Sequence, residues 1–300
     1  MKIVLLGGDG QLGWYLRASL APLGTVTTVT RCGLNGDIAC DLSDLSAVRA
    51  TILAERPALV VNAAAYTAVD AAEDDLTAAE TMNSLLPGAL GEVCHRLGAA
   101  VIHYSTDYVF AGDSSRPYRE DDATAPLNVY GRTKLAGEEA LAASGADHLV
   151  LRTAWVYSLR ARNFLTTMLR LAKERDELRV VSDQHGCPTS APLLADTTAR
   201  IASNWMARRD RRQGIYHLTA TGGTTWHGFA EVIVERAAAL GALPHRVPVR
   251  AIRSADFPTP AKRPAWSLLE TQRVRHDFAL TLPTWEDDLI HVLAPLASGA

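Results

Sequence analysis

What is scarce in this sequence narrows its chemistry before any motif does. Basic residues are in no excess: 30 Lys and Arg against 33 Asp and Glu leave a net charge of -3, with the two signs mixed along the chain. No basic stripe is available to follow a phosphate backbone, which argues against nucleic acid as a partner. Long apolar runs are missing too. The opening MKIVLLGGDGQLG carries an aliphatic run that Gly7, Gly8 and Asp9 interrupt, too short for the h-region of a signal peptide. No later stretch approaches the roughly 20 apolar residues of a membrane span. A cytoplasmic protein without membrane contact is expected. Cysteine is sparse: Cys32, Cys40, Cys94 and Cys187 form no CxxC pair and no zinc-like spacing. Reduced, mostly buried thiols are expected, and no metal site. His185 and Cys187 lie two apart without further partners and receive no ligand role.

Core-forming residues, by contrast, are plentiful. A chain of 300 residues with 48% hydrophobic content can fill one large or two modest domains. Lys2 to Leu6 is a short aliphatic run that ends in Gly7-Gly8-Asp9-Gly10 ahead of an amphipathic stretch from Gln11 to Leu20, which reads as strand, tight turn and helix. Strands are expected again at Thr25 to Thr30, Ala58 to Ala63 and Ala99 to Ser105, with helices at Leu45 to Glu55 and Ala78 to Leu97. Such alternation buries a parallel sheet between helices, because right-handed crossovers place helices on both faces. Beyond Arg152 the rhythm loosens. Helices are expected at Asn163 to Glu174, Leu193 to Arg208, Phe229 to Leu240 (started by Thr224-Thr225-Trp226) and Trp285 to Leu293, with a strand near Leu178 to Ser182. Pro244, Pro248, Pro258, Pro260 and Pro264 exclude regular helix or central strand from their stretch. The expected fold is α/β, a Rossmann-type doubly wound parallel sheet with a smaller α+β C-terminal domain. The division falls at 1–152 and 153–300, with some C-terminal segments returning to the sheet.

Gly7-x-x-Gly10-x-x-Gly13 sits directly after the first strand and opens the first helix. In that context the glycines permit a tight turn, close approach of backbone to a pyrophosphate and close packing of helix on strand, while the helix N-terminus favours negative charge. Dinucleotide binding is the expectation; a glycine turn with no ligand is the alternative. The acid that would hold an adenosine ribose is missing at the end of the second strand, where the chain reads Thr30-Arg31-Cys32. A guanidinium there suits a 2′-phosphate, so NADPH is expected, with NADH possible. Otherwise Arg31 is a solvated surface residue.

Tyr130-Gly131-Arg132-Thr133-Lys134 places a phenol and an ammonium four apart, on one face of a helix. A free tyrosine titrates near 10, and a neighbouring ammonium is expected to lower that value and make Tyr130 a proton donor. Ser105-Thr106-Asp107 ends a strand, where open α/β sheets bind ligands, so the Thr106 hydroxyl is placed to bond the reacting oxygen. Alone, a Tyr and a Lys at this spacing are usually a packed ring and a solvated charge; the glycine turn and the strand-end hydroxyl upstream change that balance.

Those three elements in that order resemble the extended branch of the short-chain dehydrogenase/reductase superfamily. Longer segments are similar to the dTDP-4-dehydrorhamnose reductases within it: Asn62 to Asp70, His103 to Phe110, Pro126 to Gly131, Arg152 to Tyr157, Asn163-Phe164, Gly186 to Thr189, Tyr216-His217-Leu218 and Arg263-Pro264. The resemblance implies that Gly10, Gln11 and Leu12, within the Gly7 to Gly13 turn, cover the pyrophosphate. Thr30 and Arg31 would lie at the adenosine end, Asp41 and Leu42 would flank the adenine, and Ala63, Ala64, Ala65, Tyr66 and Thr67 would line the remaining dinucleotide path. Thr106, Tyr130 and Lys134 would form the catalytic set, with Tyr130 and Lys134 also touching the coenzyme. Thr106, Asp107 and Trp155 would hold the sugar of a dTDP-linked substrate, whose position-four keto group is reduced to give dTDP-L-rhamnose.

By residue type alone, a tryptophan following LVLRTA reads as core, so the substrate role of Trp155 rests on the resemblance. Trp226 and Arg263 fit a nucleotide contact and a structural role equally. One departure stands out: relatives that bridge two subunits through a metal use acids where this chain has Tyr15 and Pro192, although Asp196 remains. A monomer or weak homodimer is therefore expected. Two rivals share the same motifs: an epimerase or other reductase acting on another nucleotide sugar, and a non-catalytic NADP-binding regulatory subunit. Dehydratases of this branch place Asp-Glu after the strand-end threonine, whereas Asp107-Tyr108 follows Thr106.

Overall fold

The computed structural model describes residues 1–33, 37–208 and 213–299. The chain runs β1 (Lys2–Leu6), α1 (Gln11–Leu20), β2 (Thr25–Thr30), β3 (Ile38–Ala39), α2 (Leu45–Glu55) and β4 (Leu59–Asn62). It continues through α3 (Leu76–Glu80), a π turn (Thr81–Leu85), α4 (Leu86–Leu97), β5 (Ala100–Thr106), α5 (Val129–Ala143) and β6 (His148–Thr153). The C-terminal half contributes β7 (Val156–Tyr157), α6 (Phe164–Glu174), β8 (Leu178–Val181), β9 (His185–Gly186), β10 (Thr189–Ser190), α7 (Ala191–Ala207) and β11 (Gly214–His217). It closes with β12 (Thr224–Thr225), α8 (Trp226–Ala239), β13 (Val249–Ile252), α9 (Gln272–Phe278) and α10 (Trp285–Leu293).

Among the described residues, seven strands form one parallel sheet in the order β11-β6-β5-β4-β1-β2-β3. Its central strands are aliphatic on both faces because both are covered. Ile3, Leu5, Ile102 and Leu151 pack under α1, α7 and α9 through Leu16, Leu194, Trp205 and Phe278. Val4, Val60, Val101 and Val150 pack under α2, α4 and α5 through Ile52, Leu90 and Leu141. Strand order reverses between β1 and β4, and the crevice outside their C-terminal ends is where such sheets take ligands. The α7 and α9 helices and β11, all from beyond residue 153, thus complete the sheet layer. The remaining C-terminal segments bury a separate core around Tyr157, Phe229, Ile233 and Leu289. Among the described residues, no helix is long and apolar enough to cross a membrane.

The expected elements differ from the observed ones where tertiary contacts override local pattern. The helix expected over Ala78 to Leu97 is interrupted by the π turn, which turns Asn83 fully inward; such a bulge inserts a residue without ending the helix. The α7 helix starts two residues early, because Ser190 caps it and Pro192 sits in its first turn, where no amide is needed. The proline-rich stretch holds no central strand among its described residues: β13 forms a two-stranded ladder with β8. A strand with one partner tolerates flanking prolines that a central one would not.

Beneath α5 lies a buried ion pair. Arg152 on β6 meets Glu138 through three contacts of 2.6, 2.9 and 3.2 Å, and both side chains are almost fully enclosed. Removing one partner strands a charge in the core, whereas replacing both with apolar side chains is close to neutral. Arg152→Met should therefore lower the unfolding free energy by about 3–5 kcal/mol, and Arg152→Met with Glu138→Leu should recover most of it, as read from denaturant midpoints.

Candidate functional site

The crevice is built from three strand ends. Gly7 continues β1 at φ +76°, a conformation that favours glycine. Its amide donates to the Val29 carbonyl (3.1 Å), and a Cβ there would lie 2.9 Å from the Ala64 nitrogen. At Gly13 a Cβ would fall 2.0 Å from the Gly7 carbonyl oxygen. Helix and turn thus approach more closely than any side chain allows. Gly10, the N-cap of α1, supplies no side-chain cap, which leaves first-turn amides free for an anion. Leu12 sits in that first turn, packed against the core. The Gln11 side chain turns away: Nε2 donates to the Val156 carbonyl (3.0 Å), and Asn163 Nδ2 donates to its Oε1 (2.8 Å).

Beside this turn runs the segment from Ala63 to Thr67. Ala63 donates its amide to the Leu6 carbonyl (3.1 Å), and Ala64 donates its own to Asn62 Oδ1 (3.2 Å). Asn83, delivered by the π turn, clamps Tyr66 by accepting from its amide (2.9 Å) and donating to its carbonyl (3.0 Å). Ala65 lies within this clamped run, partly buried, and Thr67 is exposed. At the end of β2, Thr30 is buried and Arg31 exposed. Thr30 Oγ1 donates to Asp37 (3.3 Å), which pairs with Arg17, whose Nε donates to the Gly8 carbonyl (3.0 Å). Asp41 is exposed, and hydrogen bonds from the Ser43 amide and hydroxyl hold its carboxyl below the ordinary range. Leu42 packs beneath it against the core.

The reacting groups meet where α5 crosses the end of β5. Asn128 caps α5 by accepting from the Gly131 amide (2.8 Å), and Glu73 accepts from the Val129 amide (2.8 Å). Gly131 carries no side chain because a Cβ would lie 2.3 Å from the Tyr108 carbonyl oxygen. The Tyr130 ring meets Tyr108 edge-on at 5.9 Å and packs with Tyr66 on Ala72, Ala79 and Val129. Thr106 Oγ1 donates to Asp107 Oδ1 (2.9 Å) and accepts from the Tyr108 amide (3.2 Å). Burial pushes the Tyr130 hydroxyl up to about 12, against a hydrogen bond with Thr106 that pulls it down. The expected lowering by Lys134 is not what sets this value. Lys134 Nζ instead faces inward, 2.5 Å from the Tyr104 carbonyl oxygen and 3.2 Å from His103 Nε2. Burial lowers its pKa to about 8, against the opposing charge of Glu138. Asp107, also buried, rises to about 6 despite hydrogen bonds from Ser267 and Thr106.

At the end of β6, Trp155 adopts φ +46°, unusual for a bulky residue. Its ring stacks on Trp226 with centroids 3.5 Å apart and planes 7° from parallel, and Gly186 leaves room for it. Arg263 pairs with Asp70 at 2.8 and 3.0 Å, fastening the segment around Ala261 to the lip of the crevice. The structure therefore brings Thr106, Asp107, Tyr130 and Tyr66 together and sets Lys134 one turn deeper. Sequence reasoning passed over Asn83, His103, Glu138 and the Trp226 stack. Asn83 carries no signal inside a helical pattern; for Glu138, the four-residue spacing from Lys134 was available.

Among the described residues, no group of three or more His, Cys, Asp or Glu is placed to hold a metal ion. Asp196 accepts from Ser19 Oγ (2.6 Å) instead. All four cysteines are free, with only Cys32 exposed.

Similarity to known proteins extends over nearly the whole chain. A family model described as the RmlD substrate binding domain matches residues 1–298. A dTDP-4-dehydrorhamnose reductase of Shigella flexneri is 47% identical over 294 residues, covering 95% of each chain. Two crystal structures superpose closely. One is a dTDP-4-dehydrorhamnose reductase of Bacillus anthracis in complex with NADP (TM-score 0.88, 30% identity, 98% of this chain and 99% of that one). The other is a dTDP-4-dehydrorhamnose reductase of Clostridium acetobutylicum (TM-score 0.89, 32% identity, 99% of each).

The raised Asp107 pKa sets a stability signature. A carboxyl whose folded pKa lies above its unfolded value contributes fully below the unfolded value, near 4, and loses that contribution as pH rises through about 6. Asp107→Asn abolishes the titration. The stability of the variant relative to the wild type should rise between pH 4 and 8, by on the order of 3 kcal/mol at most. Parallel unfolding curves for the two proteins across that range would show no Asp107 contribution.

Proposed function

We propose a reaction from the premise that this chain belongs to the family of the RmlD substrate binding domain: it is an NADPH-dependent oxidoreductase that reduces the 4-keto group of dTDP-4-dehydro-L-rhamnose to give dTDP-L-rhamnose. NADH is the secondary coenzyme. The observation that carries the reading is the Thr106–Tyr130 hydroxyl pair at the mouth of β5, on the same sheet edge as a glycine turn with open helix amides. That turn fits a dinucleotide, because Gly7 and Gly13 leave no room for side chains and the α1 N-terminus favours a pyrophosphate. When bound, the coenzyme supplies hydride to the keto carbon.

The protein's own groups supply the rest. Reduction requires an acid, and a Tyr130 hydroxyl held at about 12 is fully protonated at neutral pH. It donates to the substrate oxygen as negative charge develops there. Thr106, whose single hydroxyl hydrogen goes to Asp107 Oδ1 in the free protein, turns it to the same oxygen. Lys134 contributes positive charge one helical turn away. Asp107 accepts from a sugar hydroxyl, and the Trp155 ring forms an apolar wall for the sugar. Gly7, Gly10, Gln11, Leu12 and Gly13 provide the pyrophosphate turn; Thr30, Arg31, Asp41 and Leu42 provide the adenosine end; Ala63 to Thr67 provide the path between them. Coenzyme binding belongs to residues 1–152 and sugar binding mainly to 153–300, in a cytoplasmic enzyme acting as a monomer or weak homodimer.

Supplied with dTDP-4-keto-6-deoxyglucose, an epimerase and NADPH, the protein should oxidise the coenzyme stoichiometrically; no net oxidation would reject the assignment. Tyr130→Phe should lower kcat by about 100-fold or more while retaining coenzyme affinity in a fluorescence titration. Unchanged turnover would remove Tyr130 from its role. Arg31→Ala deletes a charge-assisted phosphate contact, so KM for NADPH should rise by roughly tenfold with little change for NADH.

A further inference from the structure

The face of α5 that meets the sheet holds a hydrogen-bond chain whose donors and acceptors can be assigned from one end. The Ala64 amide can only donate, so the Asn62 atom it meets at 3.2 Å is the oxygen. The Asn62 nitrogen therefore faces His103 Nδ1, at 3.1 Å, and its N–H requires a lone pair there. A neutral imidazole with Nδ1 unprotonated carries its hydrogen on Nε2, and that hydrogen points at Lys134 Nζ, 3.2 Å away. An ammonium has three donors and no acceptor. Only the amine form of Lys134 can accept from Nε2–H while donating to the Tyr104 carbonyl. Asn62, His103 and Lys134 are each 1–2% exposed, so water cannot easily repair a donor facing a donor.

We propose that Asn62 and His103 are positioning residues for Lys134: their chain is complete only when Lys134 is an amine, which makes its ammonium a ready proton donor inside the site. The inference deepens the reductase reading and rests on it. Each turnover strips a proton from Tyr130, and the phenolate must be reprotonated. An ammonium at Lys134 that gives up its proton toward the crevice leaves an amine that His103 Nε2–H immediately satisfies, and the proton is returned from solvent once product has left the open crevice. No oxidant or further reactant enters this step.

The charges around Lys134 are few. On its own helix are Tyr130 and Glu138; β5 presents His103 and the Tyr104 carbonyl; β6 presents Arg152, whose charge Glu138 holds bidentately; β4 presents Asn62 through the imidazole. Glu138 raises the lysine and burial lowers it, with burial the larger influence. Burial, with Lys134 as a second cause, also holds His103 well below the ordinary imidazole value, in keeping with a neutral ring.

Two variants and one measurement on the wild type test the chain. Asn62→Asp keeps the acceptor for Ala64 but turns an acceptor toward His103, moving the ring hydrogen to Nδ1 and presenting the Nε2 lone pair to an ammonium. The basic limb of the kcat/KM against pH profile should then move up by about one unit or more. His103→Gln removes the fixed tautomer and should shift the limb in the same direction. A purely structural role would lower activity without moving the limb, and an unmoved limb in both variants overturns the proposal. Ring 15N shifts of His103 in the wild type should report Nε2–H, and Nδ1–H overturns the proposal even if neither variant folds. The ring measurement requires no turnover, so failure of the reductase reading, seen as no coenzyme oxidation by the wild type, is distinguished from failure of the chain.

Discussion

The packing of one face of α5 against the C-terminal halves of β5 and β6 is the constraint on which the rest of the site depends. Tyr130, Lys134 and Glu138 recur at four-residue intervals, so they form one stripe along the helix. Partners from two neighbouring parallel strands lie beneath the stripe: Thr106 and His103 of β5 meet Tyr130 and Lys134, and Arg152 of β6, level with Ser105, reaches Glu138. Moving along the stripe leads from the solvent lip into the core, and the solutions change accordingly. At the lip the Tyr130 and Thr106 hydroxyls lie together; in the middle a neutral imidazole meets a depressed lysine; at the bottom Glu138 grips Arg152 through Nε and Nη2, leaving Nη1 without a partner. Each solution suits its depth, because uncompensated charge becomes costlier as water is excluded.

That gradient also explains how far the sequence could be read. The glycine turn was legible because its context, a strand before and a helix after, is local, and the structure adds only the reasons: Gly13 abuts the Gly7 carbonyl, and Gly7 abuts Ala64. Tyr130 and Lys134 were legible as a pair by helical spacing. Their electrostatics were not, since spacing alone pointed Lys134 at Tyr130, while the fold points its Nζ at the Tyr104 carbonyl and His103. What decides the matter is a strand residue about thirty positions upstream, brought close by sheet register rather than by any sequence interval.

The residues passed over share this character. Asn83 looks like an interior helix position, and only the π turn drives it inward to grip both backbone groups of Tyr66. A π turn has no composition that separates it from α-helix. The stacking of Trp226 on Trp155 joins residues 71 positions apart across the C-terminal core, and nothing local to either ring announces it. The return of β11, α7 and α9 to the sheet layer was expected only in outline, because parallel strands pair across long crossovers whose partner cannot be read from either strand alone.

The two halves of the molecule are tied at the glycine turn itself. Gln11, in the first turn of α1, spends its side chain on the Val156 carbonyl and on Asn163, the N-cap of α6. Val156 directly follows Trp155, whose left-handed backbone is of the kind that persists only where its surroundings over-determine it. Those surroundings are now identifiable: Gly186 yields space on one side, Trp226 covers the ring on another, and the Thr189 amide donates to the Trp155 carbonyl at 3.3 Å. A shift of the α1 N-terminus would pull on Val156 through Gln11 and so on the tryptophan beside it. The segment that presents an anion-binding turn and the segment that presents an aromatic wall are consequently not independent surfaces; the Gln11 amide joins them, and Arg160 stacked on Trp14 adds a second tie.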